Sequence, residues 1–351
     1  MRRRTSRRPT ILDVAAACGV SPATVSNVLA GKKHIAVQTR ALVLEKVDEL
    51  GYVASATARA LRMNRTWSVG VVVGDIANPF TPEVIHGIED TLWERHNNLI
   101  LCSTGSQSDR KVAYLKNLID KHVDGLILVT QSLTPDEAAA LDLARLPPLV
   151  TINRKSEAVP SDHVAIDSWG GMSSLMDYLL ALGHSRIAFV KGLASSTSAA
   201  ERYRAYRAAM KRAGFAVHPG LVLHGDYTIE SGTRAGAQLA SLPQVPTAIV
   251  AANDLMAIGV LGALRERGVP VPDDISVAGF DDILLAGHPL ISLTTIAQPK
   301  YETGVVAART LLERIEIGPR PAPKMIKLDA ALKIRGTTAP PPMKRGNRTR
   351  A

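Results

Sequence analysis

Two adjacent carboxylates, Asp281 and Asp282, follow the apolar run ISVAGF. At the end of a strand such a pair could do acid–base work in an enzyme. In a binding lobe it would accept hydrogen bonds from ligand hydroxyls, and with no nucleophile paired to it binding is favoured. His163, His184 and His224 stand singly at strand or loop ends without metal-ligand spacing, so no metal is expected. The chain has no GxxxxGK(S/T) loop, no GxSxG elbow, and VGDIANPF where a GxGxxG would follow the first strand. No cofactor and no catalysis are therefore expected. A second polar set, Thr24, Ser26 and Asn27 beside Ala23, lies on the faces of a short helix away from Val25, Val28 and Leu29. Its chemistry is hydrogen bonding to a partner.

The element that carries this second set is TILDVAAACGVSPATVSNVL, residues 10–29. Thr10 caps a first helix, with Asp13 at the favoured acidic position three residues on. Gly19 ends it, free to take positive φ. Ser21 caps a second helix and Pro22 fits its first turn, where no backbone donor is missed. Two short helices with so tight a turn suit a helix-turn-helix, whose second helix enters the DNA major groove. A helical hairpin that only packs is the alternative on spacing alone. A third helix is predicted from about Gln38 to Leu50, with Leu44, Val47 and Leu50 on one side and Val37 as a staple. Residues 54–62, ASATARALR, lack a large apolar face. They read as an ordinary linker, or as a hinge helical only when supported.

From Ser68 short apolar strands alternate with helices of ten to fifteen residues: SVGVVV, LILCS, GLILVT, PLVTI, then RIAFV, LVLHG, TAIVA and ISVAGF. Continuous apolar strands of this kind belong to parallel sheets covered on both faces. About eight units with a pause near residues 155–167 fit two doubly wound α/β lobes with a cleft. A TIM barrel has the same count, and periodicity does not exclude it. Helices are expected at Pro135 to Leu143 and Lys300 to Ile315, and two short strands in MIKLDAALKIRG.

The net charge is +10 over 351 residues, and it is unevenly spread. Residues 1–66 hold twelve Lys or Arg against four acids, and Lys344, Arg345, Arg348 and Arg350 add four more positive charges, so the remainder sums to −2. A basic head beside a helix-turn-helix is the footprint of phosphate-backbone binding. The arm MRRRTSRRP resembles no signal peptide, and no apolar run reaches the roughly 20 residues of a membrane span. Cys18 and Cys102 belong to no CxxC motif and are expected as free thiols in a reducing cytoplasm.

The headpiece pattern, with TR in helix three, LGY at its end and ARAL in the connector, resembles that of the LacI/GalR family of bacterial transcriptional regulators. The resemblance continues through DIANPF, VDGLIL, LGHSRIAFV, AANDLMAIG, SVAGFDD, LTTIAQP and IRGTTAP, covering nearly all of residues 9–340. It implies a periplasmic-binding-protein-like α/β core of two doubly wound lobes behind an all-α headpiece, a homodimer, and a hinge helix that forms on DNA. The expected boundaries are a basic disordered arm 1–8, the headpiece 9–53, hinge and linker 54–66, the effector-binding and dimerisation core 67–340, and a basic disordered tail 341–351. On the same resemblance Pro22, Ala23 and Asn27 would read bases, while Ser21, Thr24 and Ser26 would meet phosphates. Thr10 and His34 join them on the DNA-binding side. Leu61 would wedge into the minor groove, with Arg59 two residues before it. In the core Phe80 and Tyr227 match aromatic positions near the effector, Arg202 the arginine that bonds it, and Asn253 and Asp281 its polar partners. Such a set would suit a sugar or a related polyhydroxylated ligand. The chain departs from the family at Asn27, where many relatives have arginine, at Ala30, where asparagine is frequent, and at Ala54-Ser55, which replaces Pro-Asn.

The sequence therefore reads as a cytoplasmic, ligand-responsive regulator, a repressor first, gripping a roughly palindromic double-stranded operator as a homodimer with no membrane partner. An enzyme on the same core, a transport binding protein and an activator are the alternatives. Dimer is favoured over tetramer only by the absence of a leucine heptad in the tail.

Overall fold

The computed structural model describes residues 9–29, 31–32, 34–52, 65–194, 196–318 and 322–342. The chain divides into two compact units, Met1–Trp67 and Ser68–Ala351. Arg59 and Leu61 lie outside the described residues, as do the arm 1–8, most of the connector and most of the tail.

Among the described residues the first unit holds three helices, α1 (Ile11–Cys18), α2 (Pro22–Leu29) and α3 (Val37–Glu49). The Asp13 carboxylate accepts from both the N–H and the hydroxyl of Thr10, each at 2.7 Å, and so closes the start of α1. Gly19, at φ 64°, ends it: the Val20 N–H returns to the Ala15 carbonyl and the Gly19 N–H to that of Ala16. Val14, Ala15, Val25, Val28 and Val43 form the buried centre. In α3 the inward residues are Val43 and Val47, whereas Leu44 and Leu50 are exposed, and Val37 is 83% exposed and staples nothing. Of the stripe predicted from the sequence Val47 turns inward and Leu44 and Leu50 do not: Val43 and Val47, four apart, make one face, and Leu44 follows one step round the helix.

The second unit holds two lobes. The first is a parallel sheet in the order β2-β1-β3-β4-β5-β11, built from β1 (Ser68–Val73), β2 (Asn98–Ser103), β3 (Gly125–Val129), β4 (Leu149–Ile152), β5 (Asp162–Ile166) and β11 (Met325–Leu328). Val69, Val71 and Val73 pack under α4 (Phe80–Glu94) and α11 (Lys300–Ile317). Val72 points the other way, toward Leu115 and Leu118 of α5 (Ser108–Asp120) and Ala138 of α6 (Pro135–Ala139). The second lobe is a parallel sheet β7-β6-β8-β9: β6 (Ile187–Lys191), β7 (Val222–His224), β8 (Ala248–Ala251) and β9 (Ser276–Ala278). Around it lie α7 (Ser168–Ala181), α8 (Thr197–Arg212), α9 (Ile229–Ala240) and α10 (Asp254–Glu266), with an antiparallel pair of β10 (Thr295–Ala297) and β12 (Ala331–Lys333). The chain passes between the lobes at 166–168, 297–300 and 328–331. Each lobe holds a helix pair in backbone contact through glycine: a Cβ on Gly304 would lie 2.1 Å from the Val84 carbonyl oxygen, and one on Gly259 2.1 Å from that of Ile229.

This is the expected two-lobed, doubly wound architecture, not a closed barrel. Three details differ from the sequence reading. The pause contains β5, whose strand DHVAI begins with two polar residues and so escapes an apolar-run criterion. The helix predicted at Pro135 to Leu143 stops at Ala139, and only a 3-10 turn over Leu143–Arg145 follows. β10 is three residues long, too short to register as a periodic element. No single helix among the described residues is long and apolar enough to cross a membrane.

Candidate DNA-binding surface and effector cleft

On the headpiece the start of α2 stands clear of the apolar centre: Ser21, Pro22 and Ala23 are exposed. Val25 and Val28 turn inward, which fixes the helix rotation and leaves Thr24, Ser26 and Asn27 half-buried on its flanks. Ser21 Oγ accepts the Thr24 N–H at 3.1 Å and lies 2.9 Å from its hydroxyl. These two side chains therefore shape the helix start as well as face outward. Thr10 is engaged in the same way with Asp13, and His34 is exposed in the loop before α3. An exposed helix N-terminus carries free N–H groups and a positive dipole end, both suited to phosphate.

In the core, four of the five expected effector residues form one connected chain. Asn253, at the carboxyl end of β8, donates from Nδ2 to the Tyr227 carbonyl at 3.2 Å, while its Oδ1 accepts the Met256 N–H at 3.0 Å and caps α10. Its neighbour Ala252 offers a carbonyl to Arg202 Nη1 at 2.6 Å. Arg202 lies 3.7 Å from Asp281 Oδ1 and stacks on the Phe280 ring, 3.7 Å from its centroid. Its acid partner is thus on another element, not on its own helix, where Glu201 instead reaches Arg204. Tyr227 sits at φ 73°, and its hydroxyl donates to Ser196 Oγ at 3.1 Å. Phe80 is the exception. It is buried among Val84, Ile88 and the β1 valines, in the first lobe's own core.

Asp281 and Asp282 both adopt positive φ, 127° and 54°, a strained stretch for non-glycine residues. Neighbours hold it there. Lys300 Nζ donates to the carbonyls of Asp281 at 3.0 Å and Asp282 at 2.6 Å. Arg335 meets the Asp282 carboxylate at 2.6 Å. Gln298 Nε2 donates to Asp281 Oδ1. Beneath them Asp254 accepts from the Thr295 hydroxyl at 2.5 Å and the Ile283 N–H at 2.9 Å. Burial pushes the Asp281 carboxyl well above the usual carboxylate range; Arg202 opposes the rise and Asp254 adds to it. Asp254 is raised chiefly by burial too, against its two hydrogen bonds.

Sequence reasoning missed Gln298, Lys300, Asp254 and Phe280. Gln298 Oε1 is buried with no donor among the described residues. Lys300 also pairs with Glu83 of α4 at 3.4 Å, tying the second lobe's strained loop to the first lobe. The signal for both stood in AQPK after a strand, where two polar side chains follow an interlobe crossing. Asp254 was hidden because an acid in a helix's first turn has an ordinary explanation. The carboxyl ends of β6 and β8 in one lobe and of β4 in the other converge here, where open parallel sheets take ligands. A buried carboxylate, guanidinium and amide beside an aromatic face would bind hydroxyl-bearing molecules.

The comparisons with known proteins agree with that geometry. Residues 10–55 match the model of "Bacterial regulatory proteins, lacI family", and residues 176–338 that of a "Periplasmic binding protein-like domain". The HTH-type transcriptional repressor PurR of Vibrio campbellii is 37% identical over 307 residues, 88% of this chain and 92% of that protein. The ribose operon repressor of Escherichia coli is 37% identical over 306 residues, 87% and 93% of the two chains. Among solved structures, a transcriptional regulator CelR–cellobiose complex has 33% identity and a TM-score of 0.70 over 94% of this chain and 100% of that one. The lac repressor dimer bound to operator and the anti-inducer ONPF has 27% identity and a TM-score of 0.83 over 95% and 100%.

Proposed function

Since the chain belongs to the LacI family of bacterial regulatory proteins, we propose that it is a cytoplasmic repressor whose grip on a pseudo-palindromic operator is set by a sugar or sugar derivative bound between its core lobes. It is a regulator, not an enzyme, as its curated relatives are. The observation that carries the effector reading is the connected set Tyr227, Asn253, Arg202 and Asp281 at the interlobe strand ends. The cellobiose named with CelR and the ribose operon of the second relative support a sugar.

The domain roles follow the sequence reading: headpiece 9–53, hinge and linker 54–66, core 67–340, flanked by the basic segments 1–8 and 341–351. Pro22, Ala23 and Asn27 meet bases; Thr10, Ser21, Thr24, Ser26 and His34 meet phosphates; Arg59 and Leu61 act in the minor groove. Phe80, packed in the first lobe's own core, does not join this set. Two copies place two headpieces on half-sites about one helical turn apart. Leu284 and Leu290, 87% and 90% exposed, are apolar side chains a second copy would cover. The ligand changes the angle between lobes and so the spacing of the two hinges. A thermal-shift screen of the full chain against sugars and nucleobases tests the class. A rise in melting temperature with sugars, lost in Arg202→Met, is expected. A rise only with nucleobases would replace the sugar by another ligand.

A further inference from the structure

In the second lobe the apolar strand β6 ends on a cation, Lys191. Phe189, two residues before it, packs against the rings of Tyr203 and Tyr206 on α8. Alternation along the strand puts Lys191 on the same face of the sheet. Its Nζ accordingly lies 4.0 Å from the centre of the Tyr203 ring. Arg207, about one helical turn after Tyr203, brings its Cζ to 5.9 Å from the same ring. The parallel register of β6 and β7 sets the exposed His224 opposite Lys191. Arg212, about two and a half turns beyond Tyr203 and so on the opposite side of α8, meets Asp177 of α7. The Tyr203 flank therefore turns away from α7, toward the edge strand β7.

The charge on this flank is not balanced from within. Arg204, Arg207 and Lys211 are all exposed, three and four residues apart along α8, and like charges at that spacing weaken a helix. Glu201 reaches only Arg204, at 4.0 Å. Asp226, the acid that follows β7, is taken up by Thr228 and Arg234. Among the described residues no carboxylate pairs with Lys191, Arg207 or Lys211, and the Tyr203 hydroxyl has no hydrogen-bond partner. The ring offers the two cations its face, which leaves their N–H groups open to an acceptor.

An ammonium, a guanidinium fork and a hydroxyl donor gathered round one ring call for a compact anion with several acceptor oxygens. A phosphate has enough of them to meet all three groups, and its charge offsets the repulsion along α8; a neutral sugar supplies no such charge. We propose that the groove between α8 and β7 binds the phosphate of a small phosphorylated metabolite, held by Lys191, Arg207 and the Tyr203 hydroxyl. The site is separate from the Arg202–Asp281–Asn253 set and does not depend on what occupies the cleft.

The test is isothermal titration calorimetry of the full chain with inorganic phosphate, glucose 6-phosphate and ADP, beside glucose and adenosine. Because the headpiece is itself basic, the site is read from variants. In Lys191→Gln/Arg207→Gln the affinity for at least one phosphorylated probe should fall about tenfold or more. Lys116→Gln/Lys121→Gln removes the same charge from the exposed face of α5 and should leave that affinity within about twofold. Arg207→Gln alone, at a fully exposed position, gives the same direction of change should the double variant fold poorly. Inorganic phosphate binding as tightly as the two metabolites would mean that phosphate alone is recognised; tighter binding of one metabolite would identify the rest of the ligand. The site is overturned if no phosphorylated probe binds, if the α8 and α5 variants lose affinity equally, or if glucose or adenosine binds as tightly as its phosphorylated form.

Discussion

The headpiece and the effector cleft solve opposite problems. In the headpiece, five buried residues and two backbone caps suffice to hold three helices, and the candidate reading residues Pro22 and Ala23 stand in solvent with few internal bonds. In the cleft, the candidate binding residues are buried and bonded to one another: Arg202 to Asp281 and Ala252, Asn253 to Tyr227 and Met256. Specificity and stability are therefore separable in the headpiece and coupled in the cleft. A changed base contact leaves the fold alone. A changed cleft residue strands a buried partner.

The largest effect on that contrast should come from Arg202→Met. It leaves Asp281 buried without its guanidinium, and losing one partner of a buried pair costs about 3–5 kcal/mol. Urea unfolding should show a loss of that order, smaller in acid, where Asp281 takes up a proton. A loss no larger than that of an average surface substitution would mean the cleft is not coupled as described.

The pH dependence bears on the same coupling. Asp254 and Asp281 have folded-state pKa values raised by burial, so the native state binds more protons than the unfolded one above the ordinary carboxylate value of about 4. Their contribution to stability is therefore highest in acid and falls as pH rises from about 4 toward neutrality. Glu137 and Asp167 behave in the opposite sense. Burial alone would raise them, but bonds to Lys111 and Lys327 among others bring them below their ordinary values, so their contribution is present above the unfolded value and lost as pH falls. Melting temperatures between about pH 4 and neutrality should fall less steeply in Asp281→Asn than in the parent. Equal slopes would remove Asp281 from the explanation.

In the headpiece, Asn27→Arg should change the preferred operator and little else. Asparagine pairs with adenine N6 and N7 and arginine with guanine, each contact worth roughly 1–3 kcal/mol of discrimination. Binding-site selection with both proteins should return different bases at one half-site position, with equal unfolding curves. Identical preferred sequences would sink the assignment. The smallest effect is expected from Thr10→Ala, which removes the hydroxyl bonded to Asp13 and should cost the headpiece about 1 kcal/mol in thermal unfolding. No measurable loss would mean that the Thr10 N–H alone holds Asp13 in place.

The same contrast explains what could be read in advance. The headpiece was legible because caps and breakers act locally: Thr10, Asp13, Gly19 and Ser21 each do in the structure what their type predicts over a span of three to five residues. In α3 the expectation fails at Leu44, Leu50 and the Val37 staple, since Val43 and Leu44 are both strongly apolar and tertiary packing chose between them. The lobes were legible from their apolar strands, but β5 was not, because its first residue, Asp162, is fixed by Arg314, 152 residues away. Beyond the Asp281–Asp282 pair the cleft was legible only through likeness to a family. Nothing near Asp281 in sequence announces that Gln298, Lys300 and Asp254 surround it.

Regulation requires that cleft and headpiece be linked. Operator affinity of the full chain, titrated with and without a saturating sugar ligand found by thermal shift, reads that link. Coupling of about 1–3 kcal/mol, a change of roughly 5–150-fold, is predicted, and the operator must change ligand affinity by the same factor. An operator affinity that no cleft ligand alters would contradict the linkage.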